Sequence, residues 1–340
     1  MNLAWNRINL TLRHPFVTAA AIRTHKQTIW VRLRHDGIEG WGEAVPTDLY
    51  HQSLDSAEKT LAAIAKRLPS NPADFDDWID RLLRDFDDQR ATVAAIDAAV
   101  HDWRGKAVGQ PVAQLLGLEL SDIPPTSVTL GIDESARLVE KMREIAAFPI
   151  WKVKIGTELE DQTLRTIRAH APDQTLRVDA NMGWTSADAL PRLERAAAYA
   201  VELVEQPCPP DDLATLARLK AVALAPIVAD ESCVRPADIP RVAAAVDGVN
   251  IKLSKCGGIR EAHRMLLDAR VHGLRVMLGC MIESSLGIAA AAQLAPIADW
   301  LDLDGHLLLR NDPFTGIGGA RGRLQLGASP GLGVQLSSNK

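Results

Sequence analysis

From residue 125 onward the chain repeats one pattern with a period of about 25 residues, and no other feature limits its fold as much. A short β-branched run ends in polar or charged residues. An alanine-rich stretch with helical spacing follows, and then another run begins. The runs are SVTLGI at 127, WKVKI at 151, LRVDAN at 176, VELVEQP at 201, PIVADES at 226, GVNIKL at 248, LRVMLGC at 274 and DWLDLDG at 299. Segments such as SADALPRLERAAAYA and GGIREAHRMLLDARVHG lie between them; the second opens after glycines and closes on one, as a helix should. Eight strands and seven helices at spacings of roughly 22–26 residues predict an α/β fold, a parallel βα barrel. An open doubly wound sheet is the alternative, and eight units without a topological break favour the barrel.

Residues 1–120 do not share the period. NRINLTL and TIWVRLRHDGIEGWGE, with the hairpin signal HDG, predict an antiparallel sheet, and DSAEKTLAAIAKRL and ATVAAIDAAVHDWRGKAVGQPVAQLLG predict helices behind it. This reads as a separate α+β domain. SDIPPTS is the linker, 125–312 the barrel, and 313–340 a tail with no further βα unit that returns to the first domain.

Several function classes are disfavoured. The net charge is -5 and no basic block stands out, so no nucleic-acid partner is expected. No apolar run reaches the roughly 18–20 residues of a membrane span. MNLAWNRINLTLRHP lacks the features of a signal peptide, and a cytoplasmic location is expected. The four cysteines form no CxxC pair, and the histidines no HExxH or HxH. TGIGGARG fits neither nucleotide-binding glycine pattern and reads as a loop.

Barrel active sites lie at the C-terminal ends of the strands. There the second run delivers Lys152 and Lys154, the third Asp179 and Asn181, the fourth Glu205, the fifth Asp230 and Glu231, and the sixth Lys252. The seventh delivers Cys280 and, just beyond, Glu283 and Ser284; the eighth delivers Asp302 and Asp304. Singly, each has a plain structural reading. Asn181 and Ser232 are candidate helix caps, Glu231 a salt-bridge partner pointing away from Asp230, Lys255 a solvated lysine at a helix start, and the cysteines buried fillers. Together they are harder to dismiss. Asp179, Glu205 and Asp230 end three successive strands, and three converging anions without a cation would repel. Hard oxygen ligands without histidine point to Mg²⁺ or Mn²⁺. Lys152 and Lys154 share one strand face on one side of this arc, and Lys252 stands on the other. A neighbouring like charge and a divalent cation both push a lysine pKa down towards that of a base, and Lys152 is expected to act on Lys154 in this way.

WKVKIG, VDANMGW, VEQP, ADES, NIKLSKCGG and GCMIESSLG, in this order, resemble the enolase superfamily and within it the muconate-lactonizing-enzyme subgroup. The resemblance spans essentially the whole chain. It implies a modified TIM barrel, (β/α)7β, closed by an N-terminal α+β capping domain. It implies one Mg²⁺ per subunit on Asp179, Glu205 and Asp230, with Lys154 and Lys252 as the acid/base pair. It makes Lys152 the companion lysine that touches the substrate carboxylate. The shared chemistry is removal of a proton alpha to a carboxylate, through an enediolate. Two lysines on opposite faces permit a 1,1-proton transfer, although relatives that cycloisomerise or dehydrate carry the same pair.

In LDLDG, strand alternation aims Asp302 and Asp304 at the mouth, where two carboxylates suit an α-ammonium. This resembles the Asp-x-Asp signature of dipeptide epimerases, among them L-Ala-D/L-Glu epimerases of murein peptide recycling. The reading is thus an isomerase acting on a small dipeptide. Cys280 is counted among the substrate-facing residues. Arg23, on a capping loop AAAIRTHKQ with His25 and Lys26 close by, is a candidate for a glutamyl carboxylate. Tyr50 and His51 are further loop candidates. N-acylamino-acid racemase, o-succinylbenzoate synthase and muconate cycloisomerase are the alternatives, and a catalytically silent scaffold is a third class. Side-chain preference stays open, as does the choice between a single chain and a homo-oligomer.

Overall fold

The computed structural model describes residues 1–19, 21–121 and 123–337. Ala20 of the capping segment, Asp122 of the linker and the last three residues of the tail lie outside the described residues.

The chain opens with an antiparallel sheet of β1 (Asn2–Val17), β2 (Ile22–His35) and β3 (Ile38–Ala44), in that order. Asp36 and Gly37 join β2 to β3 with φ of 48° and 78°, the left-handed pair that a two-residue hairpin needs. Behind the sheet lie α1 (Leu54–Ala65), α2 (Phe75–Asp85) and α3 (Arg90–Val108). Ser53 caps α1 in a reciprocal capping box with Ser56. α2 is not among the predicted elements; its apolar face is Phe75, Trp78, Ile79, Leu82 and Leu83. The long helix predicted after residue 90 breaks at Gly109, in the left-handed region, and resumes as the one-turn α4 (Val112–Leu115). β3 lies unusually close to α3. A Cβ on Gly40 would sit 1.9 Å from the Ala99 carbonyl oxygen, and one on Gly42 2.0 Å from that of Ala95. Glycine at i, i+2 on a strand faces alanine at i, i+4 on a helix, so the two backbones almost touch.

The eight predicted runs are the eight parallel strands, joined in sequence order: β4 (Val128–Leu130), β5 (Ile150–Lys154), β6 (Thr175–Asp179), β7 (Val201–Glu205), β8 (Ile227–Ala229), β9 (Gly248–Ile251), β10 (Arg275–Gly279) and β11 (Trp300–Asp302). The bridge from Thr126 to Leu301 brings the two edge strands together. The helices between are α5 (Ser135–Glu144), α6 (Glu160–His170), α7 (Ala189–Ala198), α8 (Leu213–Val222), α9 (Asp238–Val242), the one-turn α10 (Leu253–Cys256), α11 (Ile259–Val271) and α12 (Ser285–Ala292). Inside the barrel Leu203, Val228, Met277 and Trp300 form an apolar layer. Two residues further along the same strands stand Glu205, Asp230, Gly279 and Asp302. The period-2 alternation of strands therefore turns an apolar floor into a charged rim within one step.

Carboxylates from the first domain fasten it to the barrel. Glu43 of β3 accepts from Ser284 and from the Gly287 N–H at the start of α12. Asp97 of α3 accepts from the Ile259 and Arg260 N–H groups at the start of α11. Both occupy helix N-termini, where free N–H groups and the helix dipole favour an anion. Asp102 accepts from Trp41 and Lys106, and from the Leu332 N–H of the returning tail. We expect Asp97→Ala to lower stability by about 2 kcal/mol, because it leaves buried N–H groups without an acceptor. Urea unfolding checks this, and an unchanged midpoint would contradict it.

Candidate active site

Parallel register sets Lys154 beside Asp179 and Asp179 beside Glu205, so the last residues of β5, β6 and β7 form one row. Asp230 follows β8 and Lys252 follows β9. All five are buried. Lys154 Nζ lies 2.6 Å from Asp179 Oδ2 at one end of the arc, and Lys252 Nζ 2.8 Å from Asp230 Oδ2 at the other. Lys152 Nζ reaches Glu205 at 2.7 Å, Asp302 at 2.7 Å and Asp179 at 3.1 Å.

Electrostatics follow from this placement. Burial alone would raise Asp179, but Lys154 and Lys152 outweigh it and hold the carboxyl below its ordinary value. Lys252 and Lys255 do the same for Asp230. Glu205 goes the other way, to about 7, through burial and the charge of Asp179. Burial disfavours the Lys152 ammonium, yet Asp302, Glu205 and Asp179 hold it well above the usual lysine value. Lys152 was expected to press on Lys154 as a free like charge. Instead its ammonium is paired with three carboxylates, Glu205, Asp302 and Asp179. Lys252 is likewise held high by Asp230 and Glu205 against its burial.

Three other expectations change. Lys255 is not solvated. It is buried, and its ammonium donates to Asp230 Oδ1 and O, Cys233 O and Asn250 O at 2.6–2.9 Å. The one-turn α10 folds it back beneath Asp230; its spacing of three from Lys252 was the available signal. Among the described residues Glu231 forms no salt bridge. It lines the cavity with Oε2 buried and unpartnered, and burial with the Asp230 charge pushes it up to about 8. Asn181 and Ser232 cap no helix: Asn181 has φ 43°, and Ser232 bonds Gln206 and Pro210. Asn250, not a candidate on sequence grounds, donates to Glu205 Oε1 at 2.8 Å.

Asp302 accepts from Ser127 Oγ at 2.7 Å and from Lys152. β11 ends at Asp302, so Asp304 reaches the mouth from the turn after the strand rather than by strand alternation. It accepts from the Thr129 N–H at 2.6 Å and faces Cys280 Sγ at 3.9 Å, and burial with Asp302 raises it to about 6.

These groups border a cavity of about 240 Å³ between rim and cap. The barrel contributes Lys152, Lys154, Asp230, Glu231, Lys252, Cys280, Asp302 and Asp304, with Asp179 and Glu205 fully buried close by. The cap contributes Phe16, Arg23, Lys26, Leu49 and Tyr50. Arg23 belongs to β2 rather than to a loop, and His51 is exposed and outside the lining. Lys154 also sits 6.0 Å from the Phe16 ring centroid. Asp179, Glu205 and Asp230 offer the hard oxygen donors of an Mg²⁺ site, and burial together with the charges of Asp179 and Asp230 lifts Glu205, as in a cluster suited to a cation. Among the described residues no three His, Cys, Asp or Glu side chains form a compact metal-ligating group, and the cations on these carboxylates are ammoniums.

Residues 4–117 match the mandelate racemase / muconate lactonizing enzyme N-terminal domain, and residues 134–340 the enolase C-terminal domain-like family. The L-Ala-D/L-amino acid epimerase of Maribacter sp. (strain HTCC2170 / KCCM 42371) is 33% identical over 99% of this chain and 100% of that protein. The L-Ala-D/L-Glu epimerase of Bacteroides thetaiotaomicron is 35% identical over 98% of this chain and 88% of its own length. The dipeptide epimerase from Enterococcus faecalis V583, solved in complex with Mg and the dipeptide L-Leu-L-Tyr, superposes with a TM-score of 0.92 at 32% identity, covering 98% of each chain. No helix among the described residues is long and apolar enough to cross a membrane. Fold, motif order and matches along both domains agree that the chain is an enzyme of the enolase superfamily, in its mandelate racemase / muconate lactonizing enzyme group.

Proposed function

We propose that this enzyme is an Mg²⁺-dependent dipeptide epimerase located in the cytoplasm, with L-Ala-D/L-Glu as the leading substrate. The observation that carries the reading is the pair Lys154 and Lys252 at opposite ends of one buried carboxylate arc, with Asp302 and Asp304 on the adjoining wall. Asp179, Glu205 and Asp230 would hold one Mg²⁺. When bound, the ion supplies positive charge for the oxygens of an enediolate. The dipeptide carboxylate lies towards Lys152, its α-ammonium towards Asp304 and Asp302, and an anionic side chain towards Arg23. With the three carboxylates engaged by the ion, Lys154 and Lys252 would lose the ion pairs they make here; one lysine, neutral, takes the α-proton, and the electron pair of the broken C–H bond passes into the carboxylate. The other lysine, protonated, returns a proton to the opposite face and inverts the centre.

The test is incubation of L-Ala-L-Glu with enzyme and Mg²⁺ in D₂O. Deuterium should enter the glutamyl α-carbon and the D-isomer should accumulate. Chelation should stop both, and added Mg²⁺ should restore them. No exchange with any member of a broad dipeptide panel would overturn the reading.

A further inference from the structure

We propose that Lys26 is a second cation, beside Arg23, that selects dipeptides whose C-terminal residue carries a carboxylate side chain. This deepens the dipeptide-epimerase reading and rests on it. Three residues apart on a regular strand, Arg23 and Lys26 would point to opposite faces. Here β1 and β2 lose register: Thr11 pairs with His25 and Phe16 with Arg23, so residues 12–15 stand against Thr24 alone. The bulge lies on β1 and increases the local twist of the pair. Both cations line the cavity that holds Lys154 and Lys252.

Neither cation is neutralised at close range. Among the described residues the Arg23 guanidinium makes no hydrogen bond or ion pair, and the Lys26 ammonium makes one hydrogen bond, to Pro46 O at 2.7 Å. Nearby Arg7, by contrast, is paired with Asp55 and Glu58. The charges facing Lys26 are Arg23 on its own strand, Asp48 in the segment after β3, Glu43 on β3 and Glu283 in the loop after β10. None is within ion-pair distance, and Glu43 already serves the start of α12. Burial and the Arg23 charge bring Lys26 down to about 8.

The cavity also has apolar walls in Phe16, Leu49 and Ile282, which alone would suit a hydrophobic side chain. The ammonium decides against it. An apolar group placed there would strip water from Lys26 and offer no anion in return, whereas a carboxylate satisfies both cations.

The experiment compares kcat/KM for L-Ala-L-Glu and its neutral isostere L-Ala-L-Gln, at pH 7 and pH 9, in the wild type, Lys26→Gln and Lys26→Arg. The wild type should favour the glutamyl substrate at pH 7. The Glu-over-Gln ratio should fall about 10- to 100-fold in Lys26→Gln, mainly through KM, as expected for a lost charge-assisted contact. It should also fall in the wild type at pH 9, where Lys26 loses its proton, but not in Lys26→Arg. A ratio unmoved by Lys26→Gln, or a wild type that treats both substrates alike, overturns this inference and leaves the epimerase standing. Absence of exchange with every dipeptide overturns both.

Discussion

Lys252→Ala should abolish epimerisation, lowering kcat by at least about 10³-fold, and Lys154→Ala should do the same. In a two-sided transfer each lysine serves one face of the α-carbon, so neither can replace the other. The more discriminating readout is exchange in D₂O. Each variant should still exchange the α-proton of one stereoisomer, through the lysine that remains, while converting neither into the other. The two variants should exchange opposite isomers. The arrangement separates this outcome from simple misfolding. Without Lys252, Asp230 keeps Lys255 at 2.6 Å; without Lys154, Asp179 keeps Lys152 at 3.1 Å. Each buried carboxylate therefore retains a counter-ion, and both variants should stay folded by circular dichroism. Substantial residual epimerisation in either would contradict the two-lysine mechanism.

Asp304→Asn should lower kcat/KM for dipeptides by about 10²- to 10³-fold. Of the two aspartates proposed to meet the substrate amine, Asp302 is already occupied by Lys152 and Ser127. Asp304 has no ammonium of its own and spends one oxygen on the Thr129 N–H, a contact the asparagine oxygen can keep. The substitution thus removes charge with little change of shape. An N-acylated amino acid, which lacks the ammonium, should be affected far less. The pH profile gives an independent check. Burial and Asp302 raise Asp304 to about 6, so its attraction for an ammonium is present above that pH and is lost as pH falls through it. That acid limb in kcat/KM should disappear in Asp304→Asn. Equal losses for free and acylated amines would assign Asp304 a structural role.

Much of the fold was legible because its signals are local. The βα period and the alternation of apolar and charged residues along each strand marked all eight strands, and they put Asp179, Glu205, Asp230, Lys154 and Lys252 at one rim. The helix α2 escaped notice because its apolar face is short and interleaved with four aspartates. Arg23 looked like a loop residue because the irregular pairing of β1 with β2 hides the strand alternation.

Long-range partners were not legible. Lys152 looked like a neighbour that would tune Lys154, yet its charge is spent on Asp179, Glu205 and Asp302, the last 150 positions away. Lys255 looked solvated until a one-turn helix turned it beneath Asp230. Chain order and side-chain periodicity by themselves determined the barrel, its rim and the kinds of groups found there, because both act over a few residues. Which ammonium meets which carboxylate, and which cations among the described residues stay unpaired, only the tertiary structure decided. Coulomb attraction depends on distance in space and on water excluded by packing, and neither is set by separation along the chain.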